Sequence, residues 1–170
     1  MCEEYTMKMG SYQLISFPDL SDLEKEMVLQ WRNHLDVKKW MYRNTEISLY
    51  EHLEHINLLE QKKDKYFLVK KNDIFLGVIY FTDIDYKKRE CYFGLYANPF
   101  EKIAGVGQVL EQLCINYVFK NLKFKKLKLE VFKDNKKAIN LYKKFNFKEV
   151  GVKIVHNKDV ICMELKNENR

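Results

Sequence analysis

The chain has 170 residues, 14% of them aromatic, and 30 Lys and Arg against 24 Asp and Glu for a net charge of +6. That length is one domain with a sizeable core, and with only 2 Pro and 6 Gly it is neither collagenous nor linker-rich. No apolar run approaches a membrane span, MCEEYTMKMG has no apolar leader core, and Cys2, Cys91, Cys114 and Cys162 show no metal spacing or paired framework, so a reduced, cytoplasmic protein is expected.

Tyr12 to Phe17 reads as a first strand, stopped by Pro18. Ser21-x-x-Glu24 is a capping box, and Leu23, Met27, Val28 and Trp31 then mark one face of a helix ending near Arg32-Asn33-His34. The segment from Leu35 to Glu46 has weak periodicity but carries Trp40, Met41, Tyr42 and Arg43. A second capping box, Ser48-x-x-Glu51, opens a helix whose Leu49, His52, Leu53, Ile56 and Leu59 share a face. Tyr66 to Lys71 and Ile74 to Thr82 are expected strands joined at Asn72-Asp73, and Glu90 to Ala97 follows a polar turn.

The next stretch is the most informative. The strand ending at Ala97 passes through Asn98 and Pro99 into Lys102-Ile103-Ala104-Gly105-Val106-Gly107, and from Gln108 the apolar residues Val109, Leu110, Leu113, Cys114, Tyr117 and Val118 repeat at helical spacing. A glycine turn entering a helix suits an anion, because the first helical N–H groups have no internal partner and the helix dipole is positive there. Leu127 to Phe132 is a further strand, and Asn135 to Phe147 a helix capped by Asp134 or Asn135. Two strands around Asn157-Lys158 complete the order β-αα-βββ-α-β-α-ββ.

K-x-x-G-x-G after a strand, followed by a strand and then N-x-x-A-x-x-L-Y-x-x-x-x-F, resembles the GNAT superfamily of acetyl-CoA-dependent N-acetyltransferases. Lys102 replaces the usual Gln or Arg and Asn146 the usual Gly, changes that keep the charge and the left-handed backbone respectively. The resemblance implies an α/β (α+β) fold, with a mostly antiparallel mixed sheet of about seven strands flanked by four helices, in a single domain over residues 1–170.

It also implies a site. Pyrophosphate would rest on Ile103, Gly105, Val106, Gly107 and Gln108 with Lys102 adding charge, and the pantetheine arm would lie against Leu95 and Tyr96. Asn135 would cap its helix and touch the arm, and Tyr142 would protonate the leaving thiolate. Glu130 is the candidate base, its alternative being an ion pair with Lys128 or Lys133.

W-R-N-H, W-M-Y and S-x-x-E-H-x-x-x-I, with G-L-Y-A-N-P-F and L-E-V-F, are similar to a branch containing ribosomal-protein N-terminal and nucleotide-amino-sugar N-acetyltransferases, most specifically those of pseudaminic acid biosynthesis. A UDP-linked 4-amino-4,6-dideoxy sugar is then the implied acceptor, in a pathway serving flagellin glycosylation. Arg32, Trp40, Met41, His52 and Tyr92 are its candidate contacts. His52 would bond substrate or satisfy a core partner, and with no third ligand near His52 and His55 no metal is expected. A peptide N-terminal acetyltransferase and a basic RNA-associated scaffold are the competing readings, and the C-terminal hairpin suits a homodimer interface or a monomer.

Overall fold

In the computed structural model, which describes residues 6–168, Ser21 and Glu24 form the expected reciprocal cap, with bonds of 3.2 and 2.9 Å between each side chain and the other's N–H. They open α1 (Asp22–Asn33), which runs into the one-turn α2 (Leu35–Lys38). At α3 (Leu49–Leu59) only half of the second box forms. Ser48 Oγ accepts from the Glu51 N–H, while the Glu51 carboxylate turns away to Arg43 at 2.7 Å, a charged partner it prefers to a lone amide.

The strands are β1 (Thr6–Met9), β2 (Tyr12–Ser16), β3 (Lys65–Lys71), β4 (Ile74–Asp85), β5 (Glu90–Ala97), β6 (Lys126–Phe132), β7 (Lys148–Val155) and β8 (Lys158–Lys166). They form one sheet in the order β1-β2-β3-β4-β5-β6-β8-β7. The eighth strand is β1, whose four residues are too few to show a period. The last hairpin turns at His156-Asn157, one position before the expected site, because both residues adopt the positive φ of a tight turn. Asn146 has φ +72°, as the L-Y motif requires of a residue in glycine's place.

Only β5 and β6 run parallel, and they pair at just three positions, Glu90 with Lys126, Cys91 with Leu127 and Tyr92 with Lys128. Beyond that point β5 stays with β4 as far as Ala97 opposite Gly77, and β6 stays with β8 as far as Phe132 opposite Val160. Each half keeps its own ladder, so the sheet opens between Phe93–Ala97 and Leu129–Phe132. The backbone groups of those edges facing the opening are left without a strand partner.

Period-two alternation sorts the side chains. Phe67, Val69, Ile79, Phe81, Cys91, Phe93, Leu129 and Met163 face α4 (Val106–Asn116) and α5 (Lys136–Lys144), packing with Leu110, Leu113, Cys114 and Ile139. Leu68 and Val78 face the other way, under Val28, Trp31, Ile56 and Leu59 of α1 and α3. After Asn116 the α4 helix widens into a π turn, Tyr117–Asn121, that buries Tyr117, Val118 and Phe119. Cys91 and Cys114 are free and buried, and burial pushes the Cys91 thiol up to about 12. Cys2 lies outside the described residues. Among the described residues no helix is long and apolar enough to cross a membrane, and no three His, Cys, Asp or Glu come together as a metal site.

Candidate active site

The opening between β5 and β6 leads directly to the glycine turn. Gly105 is the N-cap of α4 at φ +76°, a left-handed conformation that a Cβ would strain, and the helix begins at Val106, two residues before the apolar period shows it. Ser21, His34, Ser48 and Asn135 cap α1, α2, α3 and α5 with their side chains, whereas the glycine N-cap of α4 has no side chain to do so. The N–H groups of Gly107 and Gln108 lie in that first turn, that of Val106 donates to the Ile103 carbonyl at 3.3 Å, and exposed Lys102 lies alongside in the chain. Leu95 and Tyr96 lie on the part of β5 that has left β6, their ladder bonds going only to β4.

Tyr142 closes the opening from the α4–α5 side. Its ring packs edge-on to Phe93 at 6.0 Å and against Phe147 at 5.9 Å. Burial holds its phenol proton well above the ordinary range, and Glu111, Tyr80 and Cys114 add to that effect. A tyrosine so placed keeps its proton at neutral pH. Asn135, at the start of the same helix, has Oδ1 accepting from the Ala138 N–H at 3.3 Å, which is the capping role expected.

Glu130 lies on the opposite face. It is two residues past the last β5–β6 pair and directly across from Cys162 of β8. Its Oε1 accepts from the Tyr42 hydroxyl at 2.7 Å, and its Oε2 meets the Lys153 ammonium at 2.7 Å. The ion pair therefore comes from β7, not from Lys128 or Lys133: Lys128 turns to Glu90 at 3.4 Å and sits 4.6 Å above the Tyr92 ring. Burial and the Glu130 contact both raise the Tyr42 hydroxyl's affinity for its proton. A phenol and a carboxylate thus stand on the two faces of the sheet beside the opening.

Tyr42 is the residue missed as a site candidate. Eighty-eight positions separate it from Glu130, so no local signal could pair them. The segment that carries it is tied down by Asn33, which exchanges bonds of 2.9 and 2.8 Å with Ile47, and by Arg32, whose Nη2 donates to the Arg43 carbonyl at 2.9 Å. From there Met41 receives the Tyr80 hydroxyl at 3.8 Å, and Tyr42 stands edge-on to Phe132 at 5.6 Å.

Among the described residues Arg32 Nη1 is buried without a hydrogen-bond partner, and the phenols of Tyr96, Tyr80 and Tyr66 lie within the electrostatic reach of the guanidinium. Burial lowers its affinity for the proton, and the three tyrosines oppose that effect. Tyr66 and Tyr80 stack at 5.0 Å, and the Tyr80 ring lies across Gly94, where a Cβ would come within 2.1 Å of Cζ. Tyr96 is tilted 51° to Tyr80 with ring centroids 6.4 Å apart, so the three rings form an aromatic cluster beside the Arg32 guanidinium. Trp40 is exposed, with the Lys39 ammonium 5.3 Å from its ring. Of the two roles expected for His52 the core one is met: its Nε2 is bonded to the Lys25 carbonyl at 2.8 Å, and the ring is buried between α1 and α3. Burial lowers its pKa, so it is a satisfied core histidine.

Residues 26–147 match the model of the acetyltransferase (GNAT) family. Two proteins named acetyltransferase PseH, from two strains of Campylobacter jejuni, are 43% and 42% identical over 136 residues, covering 79% of this chain and 83% of each of theirs. The crystal structure of Campylobacter jejuni N-acetyltransferase PseH in complex with acetyl coenzyme A superposes with a TM-score of 0.74 at 35% identity, over 92% of this chain and 99% of that one. Spermidine N-acetyltransferase from Vibrio cholerae, in complex with CoA and spermine, shares the fold with a TM-score of 0.81 at 20% identity, over 93% of this chain and 96% of that one. With the opened sheet, the uncapped glycine turn and the family match all in agreement, the chain belongs to the GNAT family of acetyltransferases.

Proposed function

We propose that the chain transfers the acetyl group of acetyl-CoA to the 4-amino group of a UDP-linked 4-amino-4,6-dideoxy-N-acetylhexosamine, within pseudaminic acid biosynthesis. The observation that carries this is the opening of the sheet after Tyr92 and Lys128, with Tyr142 on one side and Glu130 on the other. The relatives named PseH support the pathway. The aromatic cluster of Tyr66, Tyr80 and Tyr96 beside Arg32 supports an acceptor with an apolar face and an anionic part.

On this reading both substrates sit in one ternary complex. The pyrophosphate of acetyl-CoA lies on the first turn of α4 beside Lys102, and the pantetheine arm pairs with the free edge of β5 at Leu95 and Tyr96. The amine gives up its proton toward Glu130 and attacks the thioester carbonyl. An N–H of the β5 edge stabilises the oxyanion, and the tetrahedral intermediate collapses as Tyr142 protonates the departing thiolate. Arg32, Met41, Tyr42 and Tyr92 hold the nucleotide sugar, with Trp40 at the entrance.

The test is a thiol-release assay with acetyl-CoA against three acceptors in parallel, namely the UDP-4-amino sugar, a basic N-terminal peptide and a polyamine. Turnover confined to the nucleotide sugar is the expected result. Turnover of the peptide or polyamine alone overturns the acceptor assignment.

A further inference from the structure

The candidate base already holds a cation. Glu130 Oε2 meets the Lys153 ammonium at 2.7 Å, while its Oε1 accepts from the Tyr42 hydroxyl at 2.7 Å. The ion pair spans the sheet. Lys153 of β7 is opposite Val160 of β8, and Val160 is opposite Phe132 of β6, so the lysine side chain reaches diagonally across β8 to the residue two before Phe132. The partners differ in exposure, with the Glu130 side chain 19% exposed and that of Lys153 46%. The carboxylate is thus the shielded member, and the lysine is the one free to swing into solvent. An ion pair made by an exposed lysine adds little to stability, because a long side chain gives up its rotamer freedom to hold it. A shielded carboxylate left without a cation loses more.

The pair lies on the acceptor's face of the sheet. Glu130 follows the last β5–β6 pair by two residues, which puts it level with Gly94, and the Tyr80 ring lies across Gly94. Residues two apart on a strand and partners across a ladder share a face, so Glu130 shares one with Lys128, Tyr92, Tyr80 and Tyr66. Lys126 and Lys128 on that face have carboxylates of their own, Glu164 at 3.6 Å and Glu90 at 3.4 Å. Among the described residues Lys153 alone is ion-paired with Glu130.

We propose that Lys153 keeps the place of the acceptor's ammonium. The 4-amino group binds in its protonated form at Glu130 and Tyr42, displacing the lysine, and the strength of the lysine contact sets how tightly a cationic acceptor is held. This rests on the reading of Glu130 as the base. The exchange trades one ammonium for another, so the carboxylate is never left shielded without a cation. With the acceptor seated, an N–H bond of its ammonium breaks, a Glu130 O–H bond forms, and the freed nitrogen lone pair attacks the thioester carbon. The amide product carries no charge with which to hold the carboxylate. Glu130 then releases its proton to solvent, and Lys153 returns to Oε2. Lys153 is therefore a positioning residue that acts through Glu130.

The experiment measures kcat and both KM values for the full chain and for Lys153→Met, Lys153→Arg and Glu130→Gln. Calorimetry with CoA bound then gives the affinity of these proteins, and of the Glu130→Gln/Lys153→Met pair, for the UDP-4-amino sugar and for UDP-N-acetylglucosamine, which has no amine. Lys153 is exposed on the edge strand β7 and Met keeps its stem, so the fold is retained. The expected result is an acceptor KM lowered about threefold to fivefold in Lys153→Met, with the KM for acetyl-CoA and the affinity for UDP-N-acetylglucosamine unchanged. Lys153→Arg, whose fork grips a carboxylate more firmly, raises the acceptor KM by a similar factor. In the Glu130→Gln background the lysine substitution leaves amino-sugar affinity unchanged. An acceptor KM that is unchanged or raised in Lys153→Met overturns the proposal, as does an equal shift in affinity for UDP-N-acetylglucosamine, which would place the lysine on the nucleotide. If Glu130→Gln is impaired and Lys153→Met does not lower the acceptor KM, only this inference falls. If Glu130→Gln keeps full turnover, the base assignment falls and takes this with it.

Discussion

Replacing Glu111 with Gln should change the stability of the protein in a pH-dependent way whose size follows from burial. The carboxyl is lifted from its ordinary 4.5 to about 8 in the fold, by desolvation. Below the ordinary value both folded and unfolded chains hold the proton, and the full stability is present. As pH rises the unfolded chain releases its proton first, so stability is lost progressively up to about 8 and is constant above it. At about 1.36 kcal/mol per unit, the loss between pH 5 and pH 9 is at most about 4 kcal/mol, a large fraction of the 5–15 kcal/mol typical of a domain. Gln has the same shape, is equally unpaired and does not titrate. Urea titrations at pH 5, 7 and 9 should therefore show the two proteins nearly equal at pH 5 and Glu111→Gln increasingly the more stable above it. His52 and His55, whose burial lowers their pKa values, titrate in both proteins and cancel in the difference. A stability difference that does not vary with pH would refute the reasoning.

Three further substitutions probe the acceptor side. Tyr42→Phe removes the 2.7 Å bond to Glu130 from a partly exposed ring, so steady-state kinetics should show about a tenfold lower kcat/KM for the acceptor with the KM for acetyl-CoA unchanged. Arg32→Lys keeps the charge but loses the planar fork, and the acceptor KM should rise about tenfold while thermal stability falls modestly with the lost Arg43 contact. Gly94→Ala drives a methyl into the Tyr80 ring and should cost about 1–3 kcal/mol in urea unfolding, a cost largely removed in the Gly94→Ala/Tyr80→Ala double variant.

The parts of the site that are legible in the sequence are those built from contiguous residues. The glycine turn, the Asn135 cap, the L-Y pair and the strand edges on either side of the opening each lie within one element, and their order along the chain gives the GNAT fold. Elements shorter than a hydrophobic period escape, which is why β1 and the one-turn α2 do not show. Glu111 sits beside the apolar stripe of α4, where a charged residue gives no sign that the fold buries it completely. The Tyr42–Glu130–Lys153 contact draws on three separated segments. His52 stays open between two roles in the sequence, since a histidine on an inward helical face has the same pattern whether it meets a substrate or the Lys25 carbonyl.

The central claim is that acetyl transfer takes place in the opening between β5 and β6, with Glu130 accepting the amine proton and Tyr142 returning one to the thiolate. It is tested most directly by single-turnover acetyl transfer from acetyl-CoA in Glu130→Gln and Tyr142→Phe, with acetyl-CoA affinity measured by calorimetry on the same samples. The expected result is a rate loss of about 10²- to 10⁴-fold in each variant with acetyl-CoA affinity retained. Wild-type transfer rates in either variant would contradict it.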